Sequence, residues 1–542
     1  MKYSKSIPVR TIIYSLLVAV GLLMAGGPAW ARVEENTIHC SVMNVEGNWN
    51  IYGDLPNQAL LISLQGLVNR TGPRLYLLYG PNYAWTEVQA LLDFYHEKRH
   101  VDYTKIDSIP EALQKFRKYV KGYIVYDQKI RDSIVLSFTA AGVMDGVVVA
   151  ESQIPMMKKL GFKQLADFRG KFEGMTSTQI YKWAYKHYWN KCTHKMLVYM
   201  GGVEGESMQP GIADLGIASK AFFYDLCTKT TCGDEYNFVS FLYSRMKPFS
   251  MLFGWHSYAK DYEHTYVTLA SHYALRVEGL NTLPNMSFHR FIKASRGFEF
   301  KTNHSNLKDL KLQKKIYIAL IQSDGLGIGA WLKPGRGSVP YAWEVNMYLY
   351  NYAPAILQYY YQQATPNDYF IGALGGPSYM YPKAIPPKFL PTTIKMAGRL
   401  MKDLDLNVFE IFDASDSLTR DLPPRVVDAY FKYMPGAVGF VNGYGPAHTF
   451  AAKDGRAFVS FDYYLAPTRT VDEAVGDLKE LATLNPKRPY FLCFHVRESN
   501  DIKRVKEIID KMGSDCELVP IDKFLKLAAM APTFKTQYQF TR

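Results

Sequence analysis

The feature of this sequence that most constrains its fold is a repeated alternation of short apolar runs with longer helical patterns. GYIVYD (122–127) and GVVVAE (146–151) are apolar runs of strand length, and a helical pattern over 133–144 separates them. Parallel strands need a crossover connection of a dozen or more residues, usually a helix, so this order is typical of a parallel sheet. The pattern recurs from residue 55 onward, and we predict an α/β region of one or two subdomains over 32–300.

The same alternation resumes after a polar, lysine-rich stretch at 294–314. IYIALIQSD (316–324) is the first of seven predicted strands, and the others lie near 369–374, 407–412, 437–441, 457–461, 490–495 and 516–519. The predicted helices between them include 343–361, 388–403, 471–484 and 502–512. This order predicts a carboxyl-terminal (β/α) barrel over 315–542 after a linker at 301–314, although an open doubly wound sheet has the same alternation.

The first 31 residues have the pattern of a secretory signal peptide. Three cations precede an apolar run at 11–26, and Ala29 and Ala31 then supply the small residues that suit a signal peptidase. The apolar run is shorter than the roughly 20 residues that a membrane-spanning helix needs. We predict cleavage after Ala31 and a secreted or periplasmic protein without stable membrane insertion after cleavage. An uncleaved anchor helix is the alternative.

Charge and hydrophobic content narrow the classes of function. The formal net charge is +13, but the lysines and arginines are scattered among acids and form no run of five or six. This pattern is typical of a solvated surface, so we predict no nucleic-acid partner, while an acidic polysaccharide stays open. Hydrophobic residues make up 48% of the chain, which excludes disorder. The sequence leaves the oligomeric state undecided.

The six cysteines are too few for a disulfide framework. Cys227 and Cys232 are nevertheless close enough in sequence to form a disulfide bond. No CxxC pair occurs, and we predict neither a metal site nor a cofactor. The glycine run at 325–329 lacks the third glycine of a GxGxxG loop, which argues against a dinucleotide site.

The stretch IGALGGPSYMYP (371–382) passes from an apolar run to glycines, tyrosines and prolines. Glycine permits unusual backbone angles and proline stiffens the chain, so this pattern predicts a strand that ends in a rigid loop displaying two tyrosines. The loop resembles the signature of the GxGYxYP family of putative glycoside hydrolases, with Ser378 in place of the second glycine. Segments 63–77 and 121–127 also resemble that family. The resemblance implies a barrel of the glycoside hydrolase and deacetylase type.

Barrel enzymes carry their chemistry at the carboxyl ends of the strands. The candidate catalytic residues share a place at or near such ends: Asp324, Glu410, Asp413 and His495. The candidate substrate-binding residues share a place near the predicted mouth: Trp343, Gly376, Tyr379 and Tyr381. Glu410 lies inside the apolar run NVFEIF, where an unpaired carboxylate is costly, so it must face a polar cavity or a cation. Alternation along its strand places Asp324 on the side of Leu320 and Gln322, which we expect to face the interior.

These residues favour a secreted glycoside hydrolase that acts on a polysaccharide or oligosaccharide through paired carboxylates. The 40 tyrosines suit a carbohydrate partner, because flat rings stack on sugar faces. The alternative is a non-catalytic glycan-binding protein on the same fold, since Leu326 and Gly327 replace an acid and an amide that the resembling family commonly has after Asp324 and Gly325. A metal-dependent deacetylase is disfavoured.

Overall fold

The computed structural model describes residues 37–45, 47–80, 88–201, 212–279, 284–416, 420–445 and 447–531. The predicted signal peptide and its cleavage site lie outside these ranges. Residues His39–Arg542 belong to one compact unit. Within the described ranges, every helix is too short or too polar to cross a membrane.

Twenty strands and eighteen α-helices are described. The strands are β1 Ile38–Val45, β2 Leu75–Tyr79, β3 Val101–Lys105, β4 Gly122–Val125, β5 Gly146–Val149, β6 Gln164–Asp167, β7 Met196–Met200, β8 Phe222–Tyr224, β9 Met251–Trp255, β10 Arg276–Glu278, β11 Ile316–Gln322, β12 Tyr341–Asn346, β13 Asp368–Ala373, β14 Val408–Ile411, β15 Gly439–Asn442, β16 Ala451–Lys453, β17 Arg456–Ser460, β18 Tyr463–Leu465, β19 Tyr490–Val496 and β20 Cys516–Leu518. The helices are α1 Leu55–Val68, α2 Val88–Arg99, α3 Ile109–Lys115, α4 Arg131–Met144, α5 Ile154–Lys159, α6 Ser177–Tyr188, α7 Ala213–Ala218, α8 Asp234–Ser244, α9 Glu263–His272, α10 Met286–His289, α11 Ile328–Trp331, α12 Leu349–Tyr352, α13 Pro354–Gln363, α14 Leu390–Asp403, α15 Pro424–Tyr433, α16 Val471–Leu484, α17 Ile502–Asp510 and α18 Ile521–Ala529.

The amino-terminal half contains three small sheets, in the orders β2-β1-β3, β5-β4-β6 and β10-β9-β7-β8. The two apolar runs that predict a βαβ unit pair in parallel, with Gly122 opposite Gly146 and Val125 opposite Val149. Helix α4 connects them. The predicted α/β architecture with parallel sheets is therefore confirmed.

A fourth sheet of ten strands forms most of the carboxyl-terminal half. Its order is β16-β17-β15-β14-β13-β12-β11-β19-β18, and β20 pairs with β11. Its ladders are parallel except for that of β16 with β17. No ladder joins the two ends of this order in the described part of the chain, so the predicted closed barrel is not confirmed.

The predicted helix at 343–361 is wrong over its first residues. The segment Tyr341–Asn346 is strand β12, and helix appears only at Leu349–Tyr352 and Pro354–Gln363. Strand β12 lies between β11 and β13 in the sheet. An interior parallel strand is buried on both faces, and periodicity alone does not separate such a short apolar run from a buried helix.

The hydrophobic core of the fourth sheet occupies one face of its strands. Buried side chains from seven of its strands pack there against the buried face of α18: Tyr317, Ala319, Ile321, Ala342, Ile371, Val408, Val441, Ala457, Val459, Phe491 and Cys493. This apolar cluster lies below the carboxyl ends of the strands, where the chains emerge into loops. The same face continues upward to the polar groups of the site.

Candidate functional site

Three titratable side chains lie together at the upper edge of the apolar cluster. Glu344 on β12, Glu410 on β14 and His495 on β19 each follow a cluster member by two residues and so share its face. All three side chains are fully buried. The structure thus groups Glu410 and His495, which are predicted from the sequence, with Glu344, which is not.

His495 and Glu410 are hydrogen-bonded between Nε2 and Oε1. Burial lowers the pKa of His495 to about 4, against the opposing charges of Glu344 and Asp324, so the imidazole is neutral at pH 7. Which of the two groups donates in this contact depends on the imidazole tautomer. The contact is therefore a hydrogen bond rather than an ion pair.

The carboxyl groups of Glu344 and Glu410 are hydrogen-bonded to each other. Burial raises the pKa of Glu344 well above its usual range, and the charge of Glu410 adds to the effect. Burial also raises the pKa of Glu410, to about 8. Among the described residues, Oε1 of Glu344 and Oε2 of Glu410 have no other partner. A proton held between these two oxygens satisfies both, and the pair therefore retains at least one proton at neutral pH.

The second oxygen of Glu344 is held by donors from two loops. Its Oε2 accepts the backbone N–H of Gly325 at 3.0 Å and the hydroxyl of Tyr444. The Tyr444 hydroxyl in turn accepts the backbone N–H of Asp324 at 2.7 Å. These contacts connect the buried acid pair to the loop that follows β11.

Asp324 lies at the rim, with 42% of its side chain exposed. Its carboxylate pairs with Arg497 at 3.2 Å. Burial raises the pKa of the adjacent Glu498 to about 8, and a hydrogen bond to Asp324 contributes. Asp324 thus lies at the rim beside both the Arg497 guanidinium and the Glu498 carboxyl.

The predicted orientation of the strand before Asp324 is wrong. The apolar cluster contains Ala319 and Ile321, and not Leu320 or Gln322, whose side is predicted to face the interior. The Gln322 amide instead donates to the carbonyl oxygens of Ser323 and Gly325. Asp324 reaches the rim because the chain leaves the strand at Gln322 and turns through a φ of 68° at Asp324.

The loop that carries the GxGYxYP-like motif is tied to the third sheet. Tyr379 exchanges two backbone hydrogen bonds with Val277 of β10, at 3.1 and 3.2 Å. Its hydroxyl donates to Glu263 at 2.5 Å, and its ring stacks on Trp255. The loop therefore brings the amino-terminal half of the chain against the acid-bearing edge of the fourth sheet.

A cleft of about 410 Å³ opens where these elements meet. Four of the side chains that line it are acidic: Glu263, Glu278, Asp324 and Glu344. Five are aromatic: Trp255, Tyr379, Phe412, Tyr444 and Tyr464. Burial raises the pKa of Glu278 to about 8, with a smaller opposing effect from its hydrogen bond to Ser378. The cleft combines flat apolar faces with carboxyl groups of which Glu263, Glu278 and Glu344 have pKa values raised by burial.

Several predicted site residues do not line this cleft. Trp343 is buried against Trp331, and its indole N–H donates to Asp368 at 2.8 Å, so its predicted place at the mouth is wrong. The parity of β12 puts Trp343 on the face opposite Glu344. Asp413 is also buried and turned aside, where it accepts the backbone N–H of Lys383 at 2.7 Å.

The motif residues Gly376 and Tyr381 lie beneath the cleft surface. Both are buried, in contrast to the predicted display of Tyr381, and neither lines the cavity. The hydroxyl of Tyr381 lies 3.0 Å from that of Tyr379, so Tyr381 supports the tyrosine that does face the cleft.

Glu344 has the same signal in the sequence as Glu410, an acid inside an apolar run. It is absent from the predicted site because the sequence pattern at 343–361 predicts a helix, whereas Glu344 lies on strand β12. Trp255, Glu263 and Glu278 come from the amino-terminal half, and no local pattern relates them to residue 324. Only strand pairing and loop docking bring them together.

The described residues contain no group of three or more histidine, cysteine, aspartate or glutamate side chains placed to hold a metal ion. Residues 96–100 read HEKRH and match the HExxH spacing of zinc peptidases. Helix α2 ends at Arg99, however, and His100 has a φ of 52°, so the two histidines are not one turn apart on a continuous helix. The spacing has no zinc-binding geometry here.

Comparison with known proteins accounts for most of the chain. Models of the first, second and third amino-terminal GxGYxYP domains match residues 42–118, 120–192 and 194–290. A model described as the GxGYxYP putative glycoside hydrolase C-terminal domain matches residues 314–529. No match is found among curated proteins.

A crystal structure of a putative hydrolase from Bacteroides thetaiotaomicron VPI-5482 has a similar fold. The TM-score is 0.75 at 20% sequence identity, and the match covers 92% of this chain and 95% of that chain. The four matching domain models show that this chain belongs to the GxGYxYP family.

Proposed function

We propose that this protein is a glycoside hydrolase that cleaves a polysaccharide or oligosaccharide in the cleft. One observation carries the proposal: the aromatic cleft has Glu344, a carboxyl held protonated by burial, in its wall and Asp324, a carboxyl paired with Arg497, at its rim. Hydrolysis of a glycosidic bond needs one acid to protonate the leaving oxygen and one carboxylate to act as nucleophile or base. The family description and the hydrolase neighbour support a hydrolase role.

The acid role suits Glu344. Its pKa is raised by burial and by Glu410, so the carboxyl retains a proton near neutral pH. The hydrogen bond between His495 and Glu410 holds the Glu410 carboxyl in place beside Glu344. Glu410 and His495 thus act as positioning residues, and Glu344 is the member of the pair that lines the cleft.

The carboxylate role suits Asp324. It is the acid of the cleft with an arginine partner, and its 42% exposure leaves it open to a bound ligand. The rings of Trp255 and Tyr379 stack on each other at the wall, where they offer an apolar face to a pyranose. This assignment replaces the predicted pairing of Asp324 with Glu410 or Asp413 by a pairing with Glu344.

The finer fold prediction remains a proposal, namely that the fourth sheet wraps into a (β/α) barrel. Strands β17 and β18 are separated by just two residues, Phe461 and Asp462. Phe461 donates its N–H to Asn442 at 2.8 Å on one side, and Asp462 donates its N–H to Cys493 at 3.0 Å on the other. One bent strand that bridges β15 and β19 in this way would close the ring.

The test begins with purified protein and a panel of polysaccharides, read by released reducing ends. On the substrate that is cleaved, we expect Asp324→Asn and Glu344→Gln each to lower kcat by about 10²-fold or more. An aryl glycoside of the same sugar with a strongly acidic phenol needs no protonation of its leaving group. Glu344→Gln should therefore retain most of its turnover on that substrate, whereas Asp324→Asn should not.

Asp428→Asn serves as the matched control, because Asp428 is an exposed acid of α15 outside the cleft. It should turn over every substrate at the native rate. Full activity of Glu344→Gln on the natural linkage would refute its role as the acid. Binding of glycans without any released reducing end would instead support the glycan-binding alternative.

A further inference from the structure

The second sheet has the topology of a ligand-binding sheet in its own right. Its order is β5-β4-β6, so the chain moves from β4 to one neighbour and then returns past β4 to the other. The three strands are parallel. In open parallel sheets, ligands bind outside the carboxyl ends of the strands at the point where the order reverses. Here that point lies between β4 and β6.

A cavity of about 520 Å³ occupies this position. It is lined by the loop after β4 at 126–130 and the loop after β6 at 169–175, together with Tyr52 and Glu151. It has no lining residue in common with the acidic cleft. The cavity is therefore a separate feature, and a ligand bound in it would be independent of the function proposed for the cleft.

A buried hydroxyl in the wall of this cavity has no partner. Tyr126 is 1% exposed, and its hydroxyl makes no hydrogen bond within the described residues. Buried polar groups are nearly always hydrogen-bonded, so an unpaired one beside a cavity points to a ligand that completes it. The neighbouring hydrophobic wall is formed by the buried ring of Phe172.

Three acids, Asp127, Glu151 and Glu173, line the cavity with two cations, Lys129 and Arg169, and this balance argues against an anionic ligand. Arg169 is already held by Asp167 at 2.6 Å and by Glu151 at 2.5 Å. Asp127 accepts the backbone N–H groups of Lys129 and Gly170, both at 2.9 Å. The remaining carboxylate oxygens would repel a phosphate but can accept hydrogen bonds from hydroxyl groups.

Tyr52 supplies the exposed aromatic ring at the edge of the cavity. It is 58% exposed, whereas most large aromatic side chains of this protein are buried. An exposed ring beside carboxylate acceptors and a free hydroxyl matches a sugar, which has an apolar ring face and a rim of hydroxyl groups. We propose that this cavity is a second, non-catalytic binding site for a neutral saccharide.

The test uses the full chain with Glu344→Gln, which slows hydrolysis of natural linkages in the cleft. Neutral oligosaccharides of glucose, mannose, galactose and xylose are titrated by calorimetry and by saturation-transfer NMR. We expect Tyr52→Ala to weaken binding at the second site at least tenfold through loss of the stacking ring. Tyr126→Phe removes one hydroxyl and should weaken binding by roughly fivefold to tenfold.

Tyr103→Ala is the matched control, because Tyr103 is also exposed and lies outside the cavity. It should bind every sugar as the parent does. The proposal is overturned if no sugar of the panel shows binding that depends on both Tyr52 and Tyr126. It is equally overturned if inorganic phosphate, titrated in parallel, is the probe whose binding depends on them. Thermal unfolding of each variant distinguishes lost binding from lost folding.

Discussion

At the scale of single residues, the site is shaped by the cost of burying titratable groups beside one another. Glu344, Glu410 and His495 have no exposed surface, so each avoids its charged form. Burial shifts the pKa values of the acids upward and that of the histidine downward, which leaves neutral groups joined by hydrogen bonds. A shift of one pKa unit corresponds to about 1.4 kcal/mol of difference between the charged and neutral forms. The neutral forms are therefore strongly favoured as long as burial and the hydrogen bonds are maintained.

Gly443 leaves the space that the side chains of Glu410 and His495 occupy. A Cβ at this position would lie 1.8 Å from Oε1 of Glu410 and 2.8 Å from Nε2 of His495. We expect Gly443→Ala to lower the free energy of unfolding by about 1–3 kcal/mol and to abolish activity, since the acid pair must move. Denaturant unfolding and reducing-end release measure the two effects.

Gly436→Ala is the control for this substitution, because nothing lies within 4 Å of a Cβ there. It should leave both stability and activity close to those of the parent. If Gly443→Ala retained native kcat, the arrangement of Glu410 and His495 would not matter for catalysis.

At the scale of elements, the motif loop acts as a clamp between two sheets. Tyr379 reaches Glu263 on α9 with its hydroxyl and β10 with its backbone. Burial raises the pKa of Glu263, and the Tyr379 hydroxyl opposes that shift. We expect Tyr379→Phe to cost about 1–3 kcal/mol in denaturant unfolding, since a buried carboxyl loses its donor, and to reduce turnover.

The matched substitution Tyr103→Phe removes an exposed hydroxyl on β3 and should change neither quantity. Equal stability of the two variants would show that the hydroxyl contact does not hold the loop. The backbone pairing with Val277 would then be sufficient to dock it.

At the scale of the whole molecule, the buried acids predict how stability depends on pH. Burial raises the pKa of Glu278, Glu410 and Glu498 from 4.5 to about 8 in each case. The folded state therefore binds protons that the unfolded chain has released, and this stabilisation is lost as pH rises toward 8. His495, whose pKa is lowered to about 4, affects stability only below pH 6.5. We expect the midpoint temperature of thermal unfolding to decrease as the pH rises from about 6.5 to about 8.5.

Glu278→Gln should flatten this decline, because the amide does not titrate, while Glu507→Gln on the exposed side of α17 should not. Thermal unfolding at five pH values across the window measures both slopes. A midpoint that rises with pH in the parent protein would mean that these acids are ionised in the folded state.

The sequence by itself determines the local elements and part of the site. Hydrophobic periodicity is a property of neighbouring residues, and it predicts the βαβ order and the strands that carry Glu410 and His495. The short spacing of Cys227 and Cys232 likewise predicts their disulfide, whose Cα atoms are 6.1 Å apart. The motif at 371–382 identifies the family.

Tertiary structure alone decides which of these residues meet. Strand alternation predicts that Trp343 and Glu344 face opposite sides of their strand. Only the pairing of β12 between β11 and β13 places the Glu344 carboxyl beside Glu410 and the Trp343 indole in the core. The raised pKa values follow from burial, which many distant side chains create together. Trp255 reaches the cleft because a loop more than a hundred residues away docks on its sheet, and such long-range contacts leave no periodic trace in the sequence.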